Sequence, residues 1–447
     1  MNNRKIHRSI FPLIFLFIFI NNIINGQTAF VNNMQTVTDS LSLKTIISMI
    51  IANHPSVKTA EEAINNANAR IGLAKTGYYP QVDLSANYSN LQPVIKITIP
   101  SMGTFQLYPE NNYSATINYK QLVYDFGRTR QNIEFENGNR ALSEQTLEQV
   151  KQKLSILAVN NYYTLAFLQA AIKIKDEQLV ILNQHLNYVE KMLATGSATE
   201  YEVLSTKVKI STIQSQLVDL DAALEAQQAS LNSLIGTDQT AHPVVKTELS
   251  TDLPFIPADS IVSFAYHNRD EVLINEKRAS LAELRYGMVK LQNKPMLSFL
   301  AAGGEKNGYL PDLNKPILNY VLGLGLNIPI FDGMKNKYNL SQAQSAITSI
   351  SYESELTKRG ISSELYTAEA YMNAANKKIG QFELQLKQAS KAYSLAETSF
   401  KSGAITNLDL LDANTSVSES QLLLLKARID YTASIYMLKA ALGERLY

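Results

Sequence analysis

The residue types that could do chemistry are few in this chain and poorly placed for it. Five histidines, His7, His54, His185, His242 and His267, are scattered without the short spacing of a metal site. There is no cysteine, which removes disulfides, thiolate metal ligands and cysteine nucleophiles together and suits any compartment. Asp125-Phe126-Gly127 matches the magnesium triplet of protein kinases, yet neither a glycine-rich loop nor a catalytic Asp loop accompanies it. A strand-to-helix turn capped by the aspartate explains it better. No Gly-Lys-Ser/Thr phosphate loop occurs, so any energy has to come from a partner. The methionines are dispersed and form no copper-handling path. An enzyme is not expected, nor a cofactor or metal.

What the chain has in place of a reactive constellation is a duplicated scaffold. Asp125 to Gly236 recurs 207 positions later at Asp332 to Gly443: a turn into a long helix, a sharp turn at Thr195-Gly196-Ser197 or Ser402-Gly403-Ala404, then a shorter helix. Both copies share a heptad seam. In the long helices it runs Ala158, Leu165, Ile172, Leu179, Leu186, Leu193, and Leu365, Met372, Ile379, Leu386, Tyr393, Phe400. In the short helices it is Val203, Ile210, Leu217, Leu224, Leu231, and Leu410, Val417, Leu424, Tyr431, Leu438. All are apolar in a chain that is 45% hydrophobic, an outcome chance gives roughly once in tens of millions of trials. A second seam of small residues, among them Ala375, Ala389, Ala396, Ala413, Ser420 and Ala427, lets antiparallel helices pack closely. An earlier set, Leu147, Val150, Leu154 and Leu157, is displaced by four residues, a stutter that keeps a long helix straighter.

Ahead of each long helix lies a further helix and a pair of strands. Leu41 to Lys75 reads as one amphipathic helix with Ile46, Ile50, Val57, Ile64 and Ile71 on its stripe. Its counterpart is about Ser260 to Leu291. Strands are expected at about 81–92 and 113–123, and at about 296–302 and 320–328, from their alternation of apolar and polar residues. Pro93 to Asn112 and Gly303 to Asn319 read as long loops between them. Strands of about ten residues with aromatic ends suit an outer-membrane barrel, although either pair alone equally suits a soluble hairpin. Four strands cannot close a barrel, and open edges cannot sit in lipid because their amides go unpaired. Three chains supply twelve strands, so a membrane reading requires an oligomer. Helix lengths agree: a long helix of about 67 residues spans roughly 100 Å, as do two shorter ones laid end to end.

Three cations precede the nearly unbroken apolar run Ile10 to Ile20, too short to cross a bilayer as a helix. Residues 1–26 therefore read as a secretory signal peptide. The first repeat is placed at 27–236, a connector at 237–257 containing Pro243, Pro254 and Pro257, and the second repeat at 258–447. The formal charge is +1, and loss of Arg4, Lys5 and Arg8 with the leader gives 1 − 3 = −2, so no nucleic-acid partner is indicated.

With these features the whole mature chain resembles a TolC-type outer-membrane efflux and secretion channel. The residues behind the resemblance are Pro80 and Pro295 before the strands, the turns at Asp125 and Asp332, the turn glycines Gly196 and Gly403, and their duplicated order. The resemblance implies a mainly α fold with a membrane β-barrel: a homotrimer forming a twelve-stranded outer-membrane barrel on a periplasmic α-helical barrel. It implies a passive exit duct in the cell outer membrane, in contact with its lipid and powered by an inner-membrane pump, proton-driven or ATP-driven. A periplasmic adaptor protein would dock on the tip at Gly196, Ser197, Gly403 and Ala404. The family's acidic pore constriction maps onto Asp409 and Asp412, which share a helix face with Ser416 and Glu419, and Glu202 takes the acidic place in repeat one. A plainer account of these acids is that a first helical turn favours negative charge. The family's basic partner in repeat two is replaced by Ile405, so a tip-locking salt bridge there is not expected. The alternative from a different class is a secreted or peripheral coiled-coil scaffold or adhesin with no membrane-spanning barrel.

Overall fold

The computed structural model describes residues 40–249 and 261–447. The expected leader, and Pro254 and Pro257 of the connector, lie outside the described residues. The first helical segment is two helices, α1 (Leu43–Asn53) and α2 (Pro55–Lys75), where the sequence suggested one. Pro55 has no N–H to continue the ladder and is preset for the first helical position. His54 stays extended and its Nδ1 accepts from the Ser56 N–H at 3.2 Å, capping α2.

Strands β1 (Gln81–Asn90), β2 (Lys96–Ile99), β3 (Gly103–Gln106) and β4 (Asn111–Tyr124) follow, then α3 (Arg128–Ala194) and α4 (Glu200–Ile235). The second half contains α5 (Ile261–Asn268), α6 (Asp270–Leu291), β5 (Met296–Lys306), β6 (Ile317–Asn327), α7 (Lys335–Lys401) and α8 (Asn407–Leu442). Both ends of α3 and of α4 recur 207 positions later as the ends of α7 and α8.

Three readings of the sequence need correction. Within the expected loop 93–112, β2 and β3 pair as a separate two-stranded ribbon. The loop 303–319 is shorter than expected, because β5 continues to Lys306 and β6 starts at Ile317. Glycine at 304 is a packing requirement there and not a loop signal: a Cβ would lie 2.0 Å from the Ala115 carbonyl oxygen of β4. Finally, the counterpart of α1 and α2 is also broken, at Arg269, with no proline to explain it. The end of α8 crosses at this point, so close that a Cβ on Gly443 would lie 2.7 Å from the Asn268 carbonyl carbon. Arg269 in turn donates to Glu364 and to the Ala440 carbonyl oxygen.

The sheet order is β1-β4-β5-β6, antiparallel throughout, and each strand joins the helical body at one end. The helical seam holds α3 against α4 and α7 against α8. Every seam residue is buried or half-buried except Leu193, at 38% exposure. The largest cluster joins Ile46, Ile47 and Ile50 of α1 to Ala158, Tyr162 and Leu165 of α3 and to Leu231 and Ile235 of α4. Its counterpart joins Val272 of α6 to Leu365 and Met372 of α7 and to Ile435 and Leu438 of α8. Each such aliphatic contributes about 1.5–3 kcal/mol by leaving water. The connector is strapped onto the first cluster: Val245 is buried, and the Tyr162 hydroxyl donates to the Lys246 carbonyl oxygen at 2.6 Å.

Candidate functional site: the two-faced sheet and the helical tip

The sheet presents two chemically different faces. Residues directly opposite in an antiparallel pair share a face, and the registers Tyr88↔Tyr113, Leu84↔Ile117, Ala301↔Leu322 and Phe299↔Leu324 gather apolar side chains on one side. Leu84, Tyr320 and Leu324 are exposed there, at 73%, 79% and 72%. The opposite face carries Asp83, Ser85, Thr116 and Asn118. Asn118 Nδ2 donates to Asp83 Oδ2 at 2.8 Å and to Ser85 Oγ at 2.9 Å. An exposed apolar face backed by a hydrogen-bonded polar one suits lipid outside and water inside.

Where strands pass into the long helices, an aspartate organises each turn. Asp125 accepts from the Gly127 N–H at 3.0 Å, the Thr129 N–H at 2.7 Å and the Thr129 hydroxyl at 2.6 Å. Burial works against its charge, but these bonds and nearby Arg128 outweigh it and hold the carboxyl below the ordinary range. Asp332 accepts from the Asn336 N–H at 2.9 Å and from Asn293 Nδ2 at 3.1 Å. The kinase-like triplet is therefore a helix cap, as its context indicated.

At the far end, Gly196 and Gly403 take φ of 74° and 73°, a region that only glycine enters freely. Ser197 and Ala404 follow them, and all four residues are exposed. The second helix of each hairpin opens with a capping box. In one, the Thr199 N–H donates to Glu202 Oε2 at 2.6 Å; in the other, the Thr406 N–H donates to Asp409 Oδ2 at 2.9 Å. The Thr406 hydroxyl and amide together hold Asp409 below the usual carboxylate range. Asp412, one turn on, is exposed and borders a hollow of about 380 Å³ between α4 and α8 with Tyr201, Leu204, Val208 and Leu408. Glu202 and Asp409 are thus occupied as caps, whereas the Asp412 carboxylate is not. Ile405 packs with Val189, Val203, Phe400 and Leu410 in an apolar cluster.

Two polar contacts, neither indicated by the sequence, join the hairpins. Asn407, 3% exposed, donates to the Glu202 carbonyl oxygen at 3.1 Å and to Thr206 Oγ1 at 3.0 Å, and its Oδ1 lies 2.6 Å from His185 Nε2. One heptad further along, Gln178 Nε2 donates to Asn414 Oδ1 at 3.2 Å. His185 with Gln178, and Asn407 with Asn414, are each seven apart. The spacing was visible in the sequence, but only packing shows the two pairs facing one another across α3 and α8.

Comparison with known proteins agrees with this geometry. The family model described as outer membrane efflux protein matches residues 46–237 and 263–444. The toluene efflux pump outer membrane protein TtgC of Pseudomonas putida is 23% identical over 419 residues, 91% of this chain and 84% of that protein. The cation efflux system protein CusC of Escherichia coli is 22% identical over 426 residues, 93% of this chain and 88% of that one. Among solved structures, the outer membrane protein VceC of Vibrio cholerae superimposes with a TM-score of 0.74 at 20% identity, covering 91% of this chain and 97% of VceC.

Proposed function

The chain belongs to the outer membrane efflux protein family, and on that premise we propose that three copies close into one continuous exit duct. It is an outer-membrane efflux duct with a periplasmic helical body. The observation that supports three copies is the sheet. Among the described residues β1 and β6 each have one unpaired edge, and an edge in lipid has to find a partner. Pairing β6 of one copy with β1 of the next gives 3 × 4 = 12 strands, an even number within the range of such barrels. The outer side of α7 supports the same reading: Tyr338, Tyr352 and Tyr366, 67%, 68% and 62% exposed, recur every second heptad and suit the α2 and α4 of a neighbour.

In this duct residues 1–26 act as the signal peptide, 27–236 and 258–447 are the two repeats, and 237–257 connects them. The tip turns Gly196, Ser197, Gly403 and Ala404 receive a periplasmic adaptor. Asp412, with Asp409 and Glu202 behind it, lines the narrowest part of the pore, where repeated acids attract cations. The duct catalyses nothing and holds no cofactor; an inner-membrane pump supplies the energy. The relatives' names span a toluene pump and a cation system, so the cargo of this duct is assigned to its pump.

The chain has no cysteine of its own, so cysteine pairs placed along β1 and β6 test closure directly. Oxidation is expected to give interchain products that end at three copies, from material that resists alkaline carbonate extraction. A carbonate-released monomer with no interchain product overturns the reading and favours the peripheral scaffold.

A further inference from the structure

The junction of α2, α3 and α6 just below the sheet encloses a cavity of about 400 Å³, bordered by Leu73, Thr76, Arg128, Asn132, Arg285 and Met288. We propose that this cavity binds the phosphodiester headgroup of a membrane phospholipid, with Arg285 and Arg128 as its anion-holding residues. The inference rests on the duct reading for one point, the height of the membrane.

Three observations support it. The first is cationic charge that forms no carboxylate ion pair. The arginines that form carboxylate pairs among the described residues are Arg130, Arg140, Arg269, Arg359, Arg428 and Arg445. Arg128 and Arg285 are not among them. Arg128 donates from Nη2 to the Leu291, Gln292 and Lys294 carbonyl oxygens at 3.1, 2.8 and 3.3 Å, which fixes the guanidinium at the end of α6. Its Nε is buried with no partner. Asp125, the nearby acid, already accepts three bonds within its own turn. Arg285 is exposed. Guanidinium groups in this state suit phosphate oxygens, which accept charge-assisted bonds in their planar fork geometry.

The second observation is position. Tyr78 and Tyr79 lie just before β1, and Tyr124 and Phe126 at the end of β4, 45–65% exposed at 50%, 65%, 56% and 45% respectively. Aromatic side chains at strand ends mark the membrane interface. Thr76 and Arg128 are each two residues from this belt, at headgroup level. The third observation is the apolar border. Leu73 is 69% exposed and stands with Met288 beside the arginines. A phospholipid covers both the charge and this border; a free phosphate ion leaves the border in water.

The test uses the full-length protein in detergent and native mass spectrometry, with phosphatidylglycerol, phosphatidylethanolamine, diacylglycerol of the same acyl chains, and inorganic phosphate as probes. The wild-type chain is expected to retain the phosphatidyl lipids and to lose diacylglycerol. Arg285→Glu and Arg285→Ala should each reduce retention about tenfold, the scale of a lost charge-assisted bond, and Arg285→Lys should restore part of it. Equal retention in these variants, or retention of diacylglycerol equal to that of the phospholipids, overturns the proposal. Displacement of the lipid by millimolar inorganic phosphate reassigns the cavity to a soluble anion and overturns the lipid source. Bilayer conductance of the wild-type chain is measured separately. A conducting chain that retains no lipid removes only this site, and a chain that fails to conduct removes the duct reading.

Discussion

At the scale of single residues, the acids at the helix starts have two different occupations. Asp409 closes a capping box, whereas Asp412 is exposed with no cap to make. Asp412→Asn is therefore expected to weaken divalent-cation block of single-channel current while leaving thermal stability within about 0.5 kcal/mol. Asp409→Ala should lower thermal stability by opening the capping box, and the Asp409→Ala plus Asp412→Ala double variant should weaken block further. Unchanged block in the double variant takes both residues out of the pore. Asp125 has a pH signature. Its folded carboxyl titrates below the ordinary value, so its stabilisation is complete above about pH 4 and is lost as pH falls through the lowered folded value. The Tm deficit of Asp125→Ala, equivalent to about 1 kcal/mol at pH 7, should shrink toward pH 3. A deficit of constant size across that range contradicts the assignment.

At the scale of elements, apolar seams hold each hairpin together while polar pairs set how the hairpins meet. Leucine and isoleucine contacts tolerate sliding by a heptad, because the next residue in the seam is equally apolar. The His185–Asn407 and Gln178–Asn414 contacts resist it, since a slide of one heptad breaks both contacts and places Asn407 opposite Met192 or Asn414 opposite Ala171, as a buried asparagine fixes register in a coiled coil. Asn407→Leu leaves the Thr206 hydroxyl and the Glu202 carbonyl without this donor and is expected to cost about 1–3 kcal/mol. Chemical denaturation measures it, and a neutral result would show that the polar pairs contribute no net stability. Gly304→Val tests the sheet in the same way. The Ala115 carbonyl oxygen already occupies the space, so pairing of β4 with β5 should fail and the protein should no longer assemble in membranes.

For the whole molecule, the four residues Glu444 to Tyr447 after α8 matter more than their number suggests. Arg445 donates to both oxygens of buried Asp270, at 2.7 Å from Nη2 to Oδ1. Tyr447 donates to Glu148, and Gln152 Nε2 donates to the Glu444 carbonyl oxygen at 2.8 Å. The bonds to Glu148 and Gln152 tie the second repeat to the first half of α3. Arg445→Ala leaves the buried Asp270 carboxylate with Gln145 Nε2 as its remaining donor, and removing one partner of a half-buried pair is expected to cost about 1–3 kcal/mol. The expected readout is a lower Tm for the assembled protein, with Arg445→Lys intermediate because one ammonium cannot make the paired bonds. Loss of less than about 1 kcal/mol would mean that the Arg445–Asp270 pair is dispensable.

The duplicated helices, their heptad seam, the turn glycines and the alternating strands were all legible in the sequence, because each depends on local spacing or on a backbone angle that one residue type prefers. The asparagine–histidine and glutamine–asparagine contacts were not, although their heptad spacing was present, because which faces meet depends on how two hairpins pack. The break at Arg269 was equally hidden: no proline marks it, and the residue packed against it, Gly443, lies far along the chain. The two-faced sheet joins both kinds of information. Alternation fixes which side chains share a face, but only the pairing of β4 with β5 across the repeats makes one sheet of two hairpins and leaves β1 and β6 as its edges.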